Sequence, residues 1–321
     1  MQRYIEETKR AIDSSIEAIL SSQSQGACRQ LLRSAVRMEG FRERPLLCRI
    51  AAECCGGNWD NVLPLAVGLE LLHLSSLIAD DIVDNSQERD GRPTLWKEVG
   101  TGSAVLASQL LVAEAGKLLL QAPFGSLEAS RNAQDLFQSC WIDLLRGQIL
   151  DVHVTGLRID PAASLTIIRL TTGSLTEAAC GVGALSSVST TPEMVMGWRR
   201  IGRYFGVGLQ LFNDATDLIG NDSTVAQFHD VQARKPRFLY MFDKSDGGHE
   251  GNWLALKDTL AARIGPCRAT LRALSACRSK VDDILSSMQI VRTDLAEIIP
   301  SLMSALIREL SQSVSDLQIS D

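Results

Sequence analysis

Apolar residues recur at intervals of three and four along nearly the whole 321-residue chain. A segment with that spacing buries one face of a helix and cannot keep one face in a sheet, so the pattern excludes most β architectures. Alternating β-branched runs are scarce, and no hairpin is expected. The fold class predicted is all-α. Breaks fall at Gly56-Gly57-Asn58 and over 122–126, 155–163, 188–193, 220–230 and 244–252. They separate about ten helices of ordinary length. None is long or biased enough to link domains, and no fixed-period repeat is present, so residues 1–321 are expected to form a single helical domain.

Composition narrows the function classes. With 45% apolar and 5% aromatic residues the chain can bury a large core. A net charge of −6 without any long Lys/Arg run gives no footprint for DNA, RNA or an anionic membrane. Eight cysteines without CxxC spacing read as reduced core thiols, which places the protein in the cytoplasm. The opening MQRYIEETKRAIDSSIEAIL is charged and amphipathic, hence a surface helix and not a signal peptide. The longest apolar stretch, Val62 to Ala79, carries Glu70 and His73 and ends at Asp80, so it is read as a helix buried in protein and not as a membrane span.

That stretch delivers LIADDIVD to its own end. If residues 62–84 are one helix, Asp80 and Asp84 lie four apart on one face, with Asp81 about 100° around. Stacked carboxylates repel, and a helix C-terminus disfavours anions further, so a cation is needed. QLFNDATDLIGND repeats the pattern: Asn213 and Asp217 are four apart, Asp214 is adjacent, and Asn221 continues the stripe. Oxygen ligands without nearby His or Cys indicate a hard ion such as Mg²⁺, which keeps waters and shares its shell with phosphate.

Residues 40–242 resemble the trans-prenyl diphosphate synthase superfamily. The likeness rests on GFRERPLL, ELLHLSSLIADDIVDNSQERDGRPTLW, GQILD, TTGSLTEAA and GVGLQLFNDATD, followed by DVQARKP. It implies the isoprenoid synthase fold, a bundle of roughly ten or more helices around a central cavity, usually as a homodimer. It also implies three Mg²⁺ ions bridging the two acidic motifs to a diphosphate. The ions draw diphosphate from an allylic carbon and leave a carbocation in an apolar pocket, which is Lewis-acid chemistry in a water-excluded cavity.

Several family positions have changed. The lysine of the Gly-Lys-Arg segment is Phe41, while Arg42 and Arg44 remain. The arginine pair after the first acidic motif is Arg89-Asp90, and His73 is retained on the side that binds isopentenyl diphosphate. A charge-assisted hydrogen bond contributes about 1.5 to 3 kcal/mol, so losing two weakens that site by roughly 10² to 10⁴ fold. The lysine of the Lys-Thr pair is Thr171, leaving Thr172, and a loop lysine near 227 is missing. The resemblance implies Arg89, Arg234 and Lys235, with Arg42, Arg44 and Thr172, as candidate diphosphate ligands. Asn213 replaces an aspartate, so Asn213, Asp217 and Asn221 resemble the metal triad of class I terpene synthases without its Ser and Glu.

The expected activity is therefore a terpene synthase on a prenyl-synthase frame. It would ionise an allylic diphosphate through Asp80, Asp84, Asn213 and Asp217 and let the cation cyclise or lose a proton. The alternatives are ordinary chain elongation, prenyl transfer to another acceptor, and a non-catalytic partner subunit. Ser75 and Ser76, five and four before Asp80, are expected to point down the cavity and leave room for about 15 to 25 carbons. Gln148, Asp151 and Gln210 match pocket positions, with Asp151 expected to pair with Arg169. Phe41, Phe205 and Phe212 are candidates to face the cation through electron-rich rings.

Overall fold

The greasy run that ends at the first acidic motif is one long helix in the computed structural model, which describes residues 1–22, 26–36, 40–89, 91–155, 157, 159–219, 235 and 260–319. This helix, α4 (Trp59–Val83), starts where Asn58 accepts a hydrogen bond from the Asp60 amide at 2.8 Å and ends at Asp84. It is buried around most of its circumference, as an apolar run without an amphipathic stripe demands.

Around it lie α1 (Gln2–Ser22), α2 (Gly26–Val36), α3 (Glu43–Cys54), α5 (Leu95–Val99) and α6 (Thr101–Gln121). The chain continues through α7 (Leu127–Val154), α8 (Pro161–Ile168), a π-helical turn (Arg169–Gly173), α9 (Ser174–Leu185) and α10 (Pro192–Ile219). After an interval outside the described residues come α11 (Leu260–Ser287), α12 (Thr293–Ala296) and α13 (Ile298–Ile319). The expected helical breaks at 56–58, 122–126, 155–163 and 188–193 all coincide with connections between these helices. Those at 220–230 and 244–252 lie outside the described residues.

One element departs from the all-helical expectation. Glu88–Arg89 (β1) and Arg92–Pro93 (β2) pair antiparallel, Glu88 opposite Pro93 and Arg89 opposite Arg92. Gly91, just before β2, has φ +72°, and the sequence Asp90-Gly91 is a strong short hairpin signal that stands without long alternating strands to announce it.

The chain forms two compact units, and neither is a continuous stretch of sequence. Residues 1–141, 175–202 and 287–298 make the first, residues 142–174, 203–286 and 299–321 the second. In the first, α4 packs on α3 and α6, and α1 lies on α3, where the Arg49 guanidinium sits between the rings of Tyr4 and Trp59 at 4.1 and 4.8 Å. In the second, Ile168 and Leu211 form a buried core with Leu165, Val207 and Ala273 against them. By length and composition α4 and α6 could each cross a membrane; α4 is mostly buried in protein, whereas α6 exposes Leu106 and Leu120. All eight cysteines are free thiols, and burial raises the pKa of several, Cys55 to about 11.

Candidate metal and diphosphate site

The first acidic cluster occupies the last turn of α4, where the Asp84 amide donates to the Asp80 carbonyl at 2.8 Å. Its three carboxylates are not equivalent. The Asp80 side chain is 25% exposed and Asp84 is half-buried, but the Asp81 side chain is 4% exposed. Arg89 donates to Asp81 Oδ1 from Nε at 3.0 Å and from Nη2 at 2.7 Å, and its Nη2 lies 3.6 Å from Asp80 Oδ2. Burial pushes the Asp81 carboxyl above its ordinary value against the pull of Arg89, and Asp80 and Asp84 push the same way as burial. Asp81, expected as a metal ligand, is thus paired with Arg89 and almost fully buried, whereas Asp80 and Asp84 are more exposed.

The basic segment before α3 differs more from expectation. Arg42 has left-handed backbone geometry, φ 58° and ψ 44°, and its side chain turns inward. Its Nη1 donates to Glu70 Oε1 at 2.7 Å and its Nε to Asp13 Oδ1 at 3.1 Å, with the guanidinium 7% exposed. Arg42 is therefore not a diphosphate ligand here but a strut joining α1, α3 and α4. Glu70, the carboxylate inside the apolar run, is its buried counter-ion; burial raises the Glu70 carboxyl while Arg42 and Arg44 lower it. Arg44 lies with Nη1 3.1 Å from His73 Nε2, and burial followed by Arg44, Arg89 and Arg42 holds His73 well below its ordinary value. A neutral imidazole accepting from Arg44 satisfies that geometry. Phe41 is 47% exposed.

Ser75 does not point down a cavity. It is fully buried against α6, with its hydroxyl 2.9 Å from that of Ser108, which also donates to the Ser75 carbonyl at 3.2 Å. Close helix packing accounts for the small residue, and Gly68 on the same helix serves it too, since a Cβ there would meet the Ala115 carbonyl at 3.2 Å. Ser76 turns its hydroxyl back to the His73 carbonyl at 2.7 Å.

In the second unit, Thr172 on the π-helical turn donates to Gln210 Oε1 at 2.6 Å, and Gln210 Nε2 donates to Asp214 Oδ1 at 2.7 Å. A π-turn inside a helical run often marks a functional site, and here it carries Thr172 to the acidic motif. Asn213 is exposed, Asp217 half-buried and Asp214 2% exposed, so this cluster divides as the first does. Asp151 pairs with Lys235 at 3.2 Å, not with Arg169 as expected, and both are buried. Lys235 is thereby directed to a carboxylate. Gln148 is half-buried beside Gly147, where a Cβ would stand 2.8 Å from Thr171 Cγ2. Phe205 and Phe212 are buried at 2% and 9% exposure and serve as core. Arg234, Asn221 and Asp90 lie outside the described residues.

Among the described residues, no three His, Cys, Asp or Glu side chains converge into a closed metal cage. Asp80 and Asp84 fit an ion that takes only one or two carboxylates and fills its shell with water and phosphate oxygens, as Mg²⁺ does.

The polyprenyl synthetase family profile matches residues 25–253. The chain is 28% identical over 269 residues to geranylgeranyl diphosphate synthase of Methanosarcina mazei, covering 84% of this chain and 82% of that protein. It is 30% identical over 221 residues to geranylfarnesyl diphosphate synthase of Aeropyrum pernix, covering 66% and 69%. Among solved structures, geranylgeranyl pyrophosphate synthetase from Pyrococcus horikoshii superposes with a TM-score of 0.81 at 21% identity, over 94% of this chain and 96% of that one. The fold is the isoprenoid synthase fold. With a profile that spans most of the chain and relatives of matching length, the chain belongs to the polyprenyl synthetase family of prenyltransferase enzymes.

Proposed function

We propose that this enzyme is a trans-prenyl diphosphate synthase that joins an allylic prenyl diphosphate to isopentenyl diphosphate. The observation that carries the reading is Asp80 and Asp84, one turn apart and partly exposed at the end of α4, in a chain whose relatives include synthases of geranylgeranyl and geranylfarnesyl diphosphate. Asp80 and Asp84 would hold Mg²⁺ at the first motif, and Asn213 and Asp217 would hold Mg²⁺ at the second. Bound there, Mg²⁺ supplies Lewis-acid stabilisation of the departing diphosphate. Arg89 binds diphosphate oxygens beside Asp80, and Arg44 with His73 binds the second substrate. The length of the product would be set by the size of the pocket that takes the prenyl chain.

This reverses the order of preference drawn from the sequence, because the relatives are elongating synthases by name. A specific observation keeps ionisation and cyclisation as a second reading: Phe41 stands where the family has lysine, Asp90 where it has arginine, and Arg42 is committed to Glu70. Incubation with Mg²⁺ and farnesyl diphosphate, with and without isopentenyl diphosphate, separates the two. A longer diphosphate formed only with the second substrate supports elongation; a hydrocarbon or alcohol from the allylic diphosphate alone supports cyclisation.

The enzyme works as a homodimer through α6. Its outer face presents Val105, Leu106 and Leu120, exposed at 39%, 64% and 70%, and Gly102, Gln109, Ala113 and Gly116 continue the stripe at three- and four-residue spacing without a charge. The eight free thiols support a cytoplasmic location.

A further inference from the structure

Asp81 stands between two acidic residues read as metal ligands, and its sequence position suggests the same task. Its surroundings do not. The carboxyl is buried, both donors on one edge of Arg89 converge on its Oδ1 at 3.0 and 2.7 Å, and the Arg89 side chain remains 29% exposed. The backbone around it is closed as a bracket. The Ser86 amide donates to the Asp81 carbonyl at 2.9 Å, and the Ser86 carbonyl accepts from Thr94 Oγ1 and from Trp96 Nε1, each at 2.8 Å. The Thr94 amide donates to the Gln87 carbonyl at 3.1 Å, and the hairpin sets Arg89 opposite Arg92. Arg89 is thus held at its Cα by the hairpin and at its guanidinium by one carboxylate oxygen.

We propose that Asp81 is a positioning residue and not a metal ligand: it orients Arg89 so that the guanidinium presents itself to the diphosphate beside Asp80. Thr94 and Trp96 serve the same end by fixing the hairpin that carries Arg89. The assignment rests on the reading of Asp80 and Asp84 as the Mg²⁺-diphosphate site. Two-point attachment suits arginine, whose planar fork loses little freedom per hydrogen bond and recognises phosphate through a defined edge. A carboxylate used for this purpose stays buried and paired, whereas one used for Mg²⁺ needs access to water and substrate oxygens.

The test is binding of inorganic pyrophosphate to the full chain by titration calorimetry across a Mg²⁺ series, with Asp81→Asn, Arg89→Gln, their double variant and Asp80→Asn, each checked for its melting transition. Asp81→Asn is expected to weaken pyrophosphate binding about tenfold or more, and the double variant to be no weaker than Arg89→Gln alone. The Mg²⁺ concentration for half-maximal binding should stay at the wild-type value in Asp81→Asn and rise in Asp80→Asn. A rise in Asp81→Asn equal to that of Asp80→Asn makes Asp81 a ligand and overturns the proposal. So does an additive double variant, which means that Asp81 does not act through Arg89. Should Asp81→Asn melt too early for titration, Thr94→Val and Trp96→Phe in the same titrations must weaken pyrophosphate binding without shifting the Mg²⁺ midpoint, and unchanged binding in both overturns the proposal. Failure of the underlying site reading is distinguishable, because then the wild-type chain itself shows no Mg²⁺-dependent pyrophosphate binding.

Discussion

Replacing Arg42 with methionine separates a strut from a ligand. The Arg42 and Glu70 side chains are 7% and 2% exposed and 2.7 Å apart, while Asp13, the second partner, is 42% exposed and can be hydrated when the arginine goes. The cost therefore falls on Glu70. Removing one member of such a buried pair costs about 3 to 5 kcal/mol, because the other charge is left without compensation. For 321 residues, unfolding entropy of about 2.1 cal/mol/K per residue converts this to a fall in Tm of roughly 4 to 8 °C. Glu70 already sits above its ordinary carboxylate value through burial, and the variant removes the arginine that opposed this. The folded state then holds the Glu70 proton more tightly than the unfolded chain, so the deficit should shrink as pH falls toward 5. Substituting Glu70→Leu in the same chain should recover at least half the loss, since no charge is left stranded. Thermal denaturation followed by circular dichroism reads all three effects, and calorimetry with Mg²⁺ and pyrophosphate should find the affinity of Arg42→Met unchanged. A variant that melts with the wild type and has lost pyrophosphate affinity would refute the reasoning and return Arg42 to the diphosphate.

Asp80→Asn and Asp217→Ala should each lower turnover by about a thousandfold, the several kcal/mol of Lewis-acid stabilisation at stake, without shifting the melting transition; steady-state assays with either variant near wild-type rate would contradict the metal assignment. His73 is held well below its ordinary value by burial and by Arg44, Arg89 and Arg42, so it stays neutral while the unfolded chain takes a proton as pH drops through about 6.5. Stability should fall from pH 7.5 to pH 5.5, and His73→Gln should flatten the fall in denaturant midpoints; parallel curves would mean that His73 titrates alike in both states. Leu106→Lys combined with Leu120→Lys should convert a homodimer to monomer by sedimentation velocity, and an unchanged sedimentation coefficient would move the interface away from α6.

The parts of this structure legible in the sequence are those set by local periodicity and punctuation. The apolar run from Val62 to Ala79 reads as a buried helix, and its acidic end could be counted to the residue. Glycine and asparagine at 56–58 and proline at 161 mark real helix ends because their preferences act within one turn. The hairpin at 88–93 escaped because its strands are two residues long, too short for alternation to show, although Asp90-Gly91 was present. Side-chain direction was the larger gap. Whether Ser75 meets a cavity or Ser108 depends on where α6 lies, and whether Arg42 meets phosphate or Glu70 depends on one left-handed backbone residue. Asp151 shows the same limit: Arg169 was the partner expected from the sequence, and the fold brings Lys235 within 3.2 Å instead. Spacing along one helix was readable, and contact between helices was not.

The most direct test of the account is product analysis by mass spectrometry after incubating the full chain with Mg²⁺, farnesyl diphosphate and isotopically labelled isopentenyl diphosphate. The account predicts a labelled, longer prenyl diphosphate that forms only when Mg²⁺ and both substrates are present. An unlabelled hydrocarbon or alcohol formed from farnesyl diphosphate alone, with the second substrate left unconsumed, would contradict it.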